Sequence, residues 1–233
     1  MRAPDNANAA FEALSIFPKS GSVAGGTEVD ISGVDFDELM GVEIVQIDAS
    51  MGSSIALDVD GQVYAWGGGY VGDGSTGAHY VPTKTDISIV PEGEKIIGVS
   101  IGQSHSLALD SAGNVYAWGY NSGGRLGDGT STTRLTPVNT DLSIVPSDEQ
   151  IVAISAGGYY SLALSSSGDV YGWGYNSGQI GDGTTTTRLT PTKTDLSIVP
   201  SSEKIVAIAA GYESSLALDS AGNVYGWGGN FSG

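Results

Sequence analysis

Asn114-Val115-Tyr116-Ala117-Trp118-Gly119 occurs four times in this chain with small changes. The other copies are Gln62-Val63-Tyr64-Ala65-Trp66-Gly67, Asp169-Val170-Tyr171-Gly172-Trp173-Gly174 and Asn223-Val224-Tyr225-Gly226-Trp227-Gly228. All four tryptophans, Trp66, Trp118, Trp173 and Trp227, fall in this slot, at spacings of 52, 55 and 54 residues. A fixed period of that size marks a repeat architecture, in which each unit buries its apolar faces only by stacking on its neighbours.

Upstream of the hexapeptide, Asp110-Ser111-Ala112-Gly113-Asn114 has the composition of a hairpin turn, with Gly113 free to take positive φ. Before it stands Ser106-Leu107-Ala108-Leu109, matched by Ser161-Leu162-Ala163-Leu164, which predicts a strand pairing with Val-Tyr-x-Trp-Gly. Each unit opens with an apolar run: Ile44-Val45-Gln46-Ile47, Ile96-Ile97-Gly98-Val99, Ile151-Val152-Ala153-Ile154 and Ile205-Val206-Ala207-Ile208. Nearly unbroken apolarity in so short a segment predicts a strand buried on both faces. The run ends in small residues such as Ser155-Ala156-Gly157, which suit a crowded centre.

Downstream, a longer loop closes on Gly-Asp-Gly at 72–74, 127–129 and 181–183. A polar strand follows, Arg134-Leu135-Thr136-Pro137-Val138-Asn139 in the second unit, and its proline marks an edge because it cannot donate to a ladder. Asp86-Ile87-Ser88-Ile89-Val90-Pro91 and its copies at 141–146 and 195–200 lengthen the link to the next unit, their Ile and Val placed to pin it against the rim. Four short strands running from buried to exposed make a propeller blade, innermost strand first. The predicted fold is all-β, a partial β-propeller of about four four-stranded blades, with units 44–95, 96–150 and 151–204 and an incomplete last unit at 205–233.

Taken together, Ala-x-Gly-x-x-x-Ser-Leu-Ala-Leu, Gly-x-Val-Tyr-x-Trp-Gly, Gly-Asp-Gly and Thr-Pro resemble the regulator of chromosome condensation repeat family over residues 44–233. That resemblance implies blades of a seven-bladed propeller, and hence further repeats beyond these. The family often has histidine just before its Ser/Thr-Leu-Ala-Leu strand; here the slot holds Ser53, His105, Tyr160 and Ser214.

The N-terminal region has a different texture. Residues 1–13 are polar and alanine-rich and read as a tail or linker. Within 14–43, Leu14 to Gly21 and Gly25-Gly26-Thr27-Glu28-Val29-Asp30-Ile31-Ser32-Gly33 predict two short strands about a Gly-rich turn, and residues 14–38 resemble the opening of TIG-type immunoglobulin-like domains. Two strands cannot form a sandwich core, so the segment is partial.

Composition narrows the chemistry. Cysteine is absent and there are two histidines, His79 and His105, at non-equivalent positions, which leaves no thiol chemistry and little for a metal site; no cofactor is expected. With 9 basic and 26 acidic residues the net charge is −17, the reverse of a nucleic-acid footprint, so no nucleic-acid partner is expected. No apolar run reaches the length of a membrane span, so no direct membrane insertion is expected, and residues 1–17 lack a signal-peptide pattern. The acidity and the TIG-like neighbour suggest an extracellular or cell-surface protein.

Nothing converges for catalysis: the serines and threonines lack a repeated base, and no phosphate-cradling Gly-Lys-Ser/Thr run exists. The Gly-Asp-Gly aspartates and Asp58-Val59-Asp60-Gly61 read as turns rather than calcium loops, which need six or more converging oxygens. The tryptophans read as packing residues between blades. That leaves loop residues as contact anchors: Tyr70, Tyr120 and Tyr175 just after the Trp-Gly step, and Arg125, Arg134 and Arg188, all placed in loops. The expected function is non-catalytic binding of a protein or glycan, as part of a larger bacterial surface or secreted protein. The family resemblance also implies two other roles: guanine-nucleotide exchange on a small GTPase, or inhibition of a secreted or wall-modifying enzyme.

Overall fold

The computed structural model describes residues 15–17, 30–32 and 41–229, and the chain divides into two units, Met1–Val42 and Glu43–Gly233. In the first, β1 (Ser15–Phe17) pairs antiparallel with β2 (Asp30–Ser32), Ile16 opposite Ile31. The tail and most of the TIG-like segment lie outside the described residues.

The second unit holds four antiparallel sheets, each built from strands consecutive in sequence. Blade 1 is β3 (Ile44–Ser50), β4 (Ser53–Asp58), β5 (Val63–Gly67) and β6 (His79–Lys84). Blade 2 is β7 (Ile96–Ile101), β8 (His105–Asp110), β9 (Val115–Gly119) and β10 (Arg134–Asn139). Blade 3 is β11 (Ile151–Ala156), β12 (Tyr160–Ser165), β13 (Val170–Gly174) and β14 (Arg188–Lys193). Blade 4 shows three strands, β15 (Ile205–Ala210), β16 (Ser214–Asp219) and β17 (Val224–Gly228). No helix occurs among the described residues.

In blades 1, 2 and 4 the hairpin between the second and third strands is closed by one carboxylate, and in blade 3 Ser165 takes its place, its Oγ accepting the Asp169 N–H at 3.2 Å. Asp110 Oδ1 accepts the N–H groups of Ala112 and Asn114 at 3.0 and 2.8 Å, and Oδ2 accepts the Tyr116 hydroxyl at 2.8 Å. Burial and that bond to a carboxylate raise the Tyr116 pKa. Gly113 takes φ +88°, and a Cβ there would lie 2.9 Å from the Gln150 side chain, so the turn is tucked under the next blade. Asp58 and Asp219 repeat the arrangement, which makes Asp58-Val59-Asp60-Gly61 a hairpin turn, as its sequence predicts.

The innermost strands correct one expectation. In each, the ladder slips after the first residue: Ile96 faces Asp110, but Gly98 faces Leu109, and the same step occurs at Ile44/Gln46, Ile151/Ala153 and Ile205/Ala207. A β-bulge of this kind turns the extra residue out of register. Val45, Ile97, Val152 and Val206 are consequently about half exposed, so the apolar run is not buried on both faces. Along the outer strand, Pro137 falls in the irregular stretch between Arg134 and Val138, where no ladder donor is needed.

Blades join through apolar cores, each built from the rear face of one blade and the front face of the next. Leu107, Leu109, Val115, Ala117 and Leu126 of blade 2 meet Ile151, Ala163, Tyr171 and Trp173 of blade 3, with Leu142 and Val145 of the link packed against them. The joint between blades 1 and 2 sets Ile55, Leu57, Val63 and Val71 against Val99, Ala108, Tyr116 and Trp118, again with link residues Ile87 and Val90. Trp118 and Trp173 are fully buried, while Trp66 and Trp227, in the end blades, are half-buried. The third core joins Leu162, Leu164 and Val170 to Ile205, Ala217 and Trp227. The first glycine of each Gly-Asp-Gly exists for this contact: a Cβ on Gly72, Gly127 or Gly181 would lie within 2.9 Å of Nε1 of the next blade's tryptophan.

Polar groups reinforce the joints. Trp173 Nε1 and Ser161 Oγ both donate to the Arg125 carbonyl at 2.9 Å, and Trp227 Nε1 and Ser215 Oγ repeat this on the Gln179 carbonyl. Along the inner strands, Asp48 Oδ2, Ser100 Oγ and Ser155 Oγ accept the N–H groups of Ile101, Ala156 and Ala210 in the following blade. The variable slot before Ser-Leu-Ala-Leu also reaches forward: His105 Nε2 lies 2.9 Å from Ser161 Oγ, and the Tyr160 hydroxyl donates to the Ser214 carbonyl at 2.7 Å.

Candidate functional site

Each blade has two ends. At one lie the hairpin turns between second and third strands and the links; at the other lie the turns between first and second strands and the long loops after Trp-Gly. Every lysine after residue 43 (Lys84, Lys95, Lys193, Lys204) sits at the hairpin end, whereas Arg125, Arg134 and Arg188 are at the long-loop end.

At the long-loop end the loops are braced from within. Asp128 Oδ1 accepts the N–H and hydroxyl of Thr130, and its Oδ2 accepts Arg134 Nε at 2.9 Å and Nη2 at 2.8 Å. Asp182, Thr184 and Arg188 repeat this two-pronged pair. Burial works to raise both carboxyl pKa values, but the hydrogen bonds from threonine and arginine outweigh it and lower them. The Gly-Asp-Gly carboxylates are thus turn-formers, and among the described residues no three His, Asp or Glu side chains gather as a metal site. Arg134 and Arg188 are the first residues of β10 and β14 rather than loop residues, held there by those aspartates.

Arg125 corrects a second expectation. It is 4 % exposed, so it is no free contact anchor. Its guanidinium lies between two rings, 5.1 Å from the centroid of Tyr120 and 5.1 Å from that of Tyr159 in the next blade. Nε and Nη2 donate to the Ser122 carbonyl at 3.2 and 2.9 Å, while Nη1 is buried without an acceptor. No carboxylate forms an ion pair with it among the described residues; burial lowers its pKa and the two tyrosines oppose that.

Tyr159 continues the row. Its ring meets Tyr175 edge-on at 6.4 Å and Tyr212 of blade 4 at 5.2 Å, and the Tyr159 and Tyr212 hydroxyls hydrogen-bond. The result is an aromatic ledge across three blades, Tyr120, Arg125, Tyr159, Tyr175 and Tyr212, with Tyr120, Tyr175 and Tyr212 exposed by 43 %, 44 % and 50 %. Tyr70, the remaining sequence-predicted anchor, is half-buried in blade 1 and makes none of these ring contacts. Beside the ledge a cavity of about 360 Å³ is lined by Asp48, Ser100, Gln103, Ser155 and Tyr212, with Gln103 Oε1 buried and unpaired.

Tyr159 and Tyr212 were not singled out by sequence. Their signal is a departure from the repeat in the inner hairpin, where Gln103-Ser104 of blade 2 becomes Gly158-Tyr159 in blade 3 and Tyr212-Glu213 in blade 4. Gly158 is what admits Tyr212, since a Cβ there would lie 2.9 Å from its ring.

A radial stack of antiparallel sheets of three or four strands, each locked to the next by a tryptophan, defines the class of propeller repeat modules. The chain belongs to the regulator of chromosome condensation (RCC1) repeat family, whose repeat matches residues 60–109, 112–164 and 167–218. A second description of the same repeat matches 96–125, 151–179 and 205–233. Among curated relatives, the ultraviolet-B receptor UVR8 of Arabidopsis thaliana is 30 % identical over 211 residues, 88 % of this chain and 45 % of UVR8. The mitochondrial RCC1 domain-containing protein RUG3 of the same plant is 32 % identical over 205 residues, 82 % of this chain and 43 % of RUG3. The chain therefore spans less than half the length of these relatives. Among solved structures, Prp20p of Saccharomyces cerevisiae superposes with a TM-score of 0.68 at 27 % identity, covering 86 % of this chain and 47 % of Prp20p. Human WBSCR16 shares the fold, with a TM-score of 0.71 at 24 % identity, covering 86 % of this chain and 50 % of WBSCR16.

Proposed function

We propose that this chain is a binding module without catalytic turnover, and that it takes a protein or glycan partner on the aromatic ledge at its long-loop end. The carrying observation is three tyrosines, Tyr120, Tyr175 and Tyr212, about half exposed, the first two on loops braced by the ion pairs Asp128–Arg134 and Asp182–Arg188. Rigid aromatic side chains with a polar tip offer contact area at small entropic cost. A scaffold that repeats while its loops differ is how binding surfaces are diversified. A protein partner has support in Prp20p, whose structure is described together with its binding to Gsp1p and histones. Inhibition of an enzyme would be one form of the same binding. A surface or secreted setting, with further repeats completing the propeller and the TIG-like segment preceding the repeats in sequence, fits the charge of −17.

The test is capture of cell-surface glycans and proteins on the immobilised chain, compared with a Tyr120→Ser/Tyr175→Ser double variant. Loss of capture by the variant, with its melting unchanged, supports the reading. In parallel, nucleotide release from small GTPases is followed with the chain added below stoichiometry. Catalytic acceleration there would replace the binding module by an exchange factor.

A further inference from the structure

Arginine has one habit in the repeats, and Arg125 breaks it. Arg134 and Arg188 each pair with the Gly-Asp-Gly carboxylate six residues upstream, Nε and Nη2 both meeting one oxygen of Asp128 or Asp182. Arg125 is more buried than either, yet no carboxylate forms an ion pair with it among the described residues. Its Nε and Nη2 both donate to the Ser122 carbonyl, and Nη1 is buried with no acceptor. Burying a guanidinium without an anion is costly, and two ring faces offset only part of that cost.

The cation also lies where a partner can reach it. Tyr120 and Tyr159 cover its two faces. Tyr159 is held edge-on by Tyr175 and by Tyr212, while Tyr120 is 43 % exposed and meets no other ring among the described residues. Tyr120 is therefore the ring that can turn aside, a rotamer change open to an exposed side chain. Arg125 stands in the joint of blades 2 and 3, both of which show all four strands.

We infer that the ledge, taken as the binding face, holds a partner protein through one aspartate or glutamate side chain, whose carboxylate replaces the Tyr120 ring and accepts from Arg125 Nη1. Tyr159 keeps the other face of the guanidinium. A protein can frame a single carboxylate with neutral groups, whereas an acidic polysaccharide brings a row of charges against a chain of −17.

The experiment follows the Arg125 Nε–H and nearby backbone amides by NMR in the full chain while a capped peptide with one glutamate among glycines and serines is added. Shifts at these groups are expected, fading as salt rises and absent with the glutamine twin of the peptide. Arg125→Gln keeps the carbonyl that holds Trp173 and Ser161, and should abolish the shifts at the neighbouring amides. Tyr120→Ala uncovers the guanidinium and should tighten the peptide severalfold, since so short a probe gains nothing from the ring itself. A glutamine twin that binds as well, no response to either peptide, or a Tyr120→Ala variant no tighter than the wild type would overturn the carboxylate. So would a larger response to glucuronate at equal concentration, which would make the anion a sugar's. In the capture assay, binding lost in the Tyr120→Ser/Tyr175→Ser variant but intact in Arg125→Gln would sink the carboxylate and leave the ledge; binding intact in both would sink the ledge with it.

Discussion

The joint between blades 1 and 2 and the joint between blades 2 and 3 bury the same residue types but are tied at different distances from the centre. In the outer part of the second joint, the Arg125 carbonyl receives both Trp173 Nε1 and Ser161 Oγ. In the first joint the loop is three residues shorter, Gly67 to Gly72 against Gly119 to Gly127, and Trp118 Nε1 is buried with no acceptor. Compensation comes from the inner strand: Gln46 Oε1 accepts the Val99 N–H at 3.0 Å and Gln46 Nε2 donates to the Val99 carbonyl at 2.8 Å. No other blade has a glutamine there; Gly98, Ala153 and Ala207 take its place. A repeat can thus lose one tie when a loop shortens and regain it elsewhere, provided the apolar contact is kept.

The largest expected effect is on that shared contact. Trp173→Ala should cost about 3–5 kcal/mol in chemical denaturation, because a fully buried indole leaves a cavity the sheets cannot collapse into. A loss near zero would mean the joints do not carry the stability of the array.

Next is an acid-sensitive difference between the joints. His105 lies only in the second; Ser161 Oγ gives its proton to the Arg125 carbonyl, so His105 Nε2 carries the hydrogen that points at Ser161. Burial first, and the Arg125 charge second, lower the His105 pKa from 6.5 to about 3. The unfolded chain therefore binds a proton in that window that the folded chain refuses, so stability is full above pH 6.5 and falls as pH drops towards 3. At pH 5 the loss from this group is about 2 kcal/mol, and His105→Gln should flatten that part of the pH–stability curve. An unchanged slope in the variant would remove His105 as its source.

A smaller effect separates the two tryptophans directly. Trp173→Phe discards a satisfied hydrogen bond and Trp118→Phe discards a buried unpaired donor, so the first should cost about 1–2 kcal/mol more than the second. Equal costs would show that the Arg125 carbonyl contributes nothing to its joint. Gln46→Ala should cost about 1 kcal/mol, in the first joint only, seen as faster hydrogen exchange at Val99. Smallest of all, Tyr120→Ser and Tyr175→Ser should each leave stability within about 0.5 kcal/mol, since half-exposed rings on fixed loops hold no joint together. A larger loss would make the ledge structural.

Much of this architecture can be read from sequence because its causes are local and repeated. The turn at Asp110 recurs at Asp58 and Asp219, with Ser165 in its place in blade 3, and Trp118 beside Val115 and Tyr116 marks the packing strand four times over. The bulge is less legible: Ile97, Val152 and Val206 are β-branched and apolar, as a buried strand residue would be, and only the slipped register turns them out. Arg125 reads as a surface anchor because its partner rings come from five residues upstream and from the neighbouring blade. The slot holding His105 and Tyr160 changes residue from blade to blade, so its role is not legible from the repeat, yet both side chains reach across a joint, and Gly102 and Gly157 make room for their rings.

Each sheet is made only of strands that follow one another in the chain, and that order has a bearing on how the protein is born. A blade needs no segment from later in the sequence to complete its hydrogen-bonded ladder. Blade 1 can close once Lys84 has left the ribosome, before Ile96 begins the next inner strand. Each new blade then meets a finished rear face rather than a loose chain. Vectorial synthesis thus favours correct neighbours over the mispairing that the near-identical second and third repeats would otherwise invite.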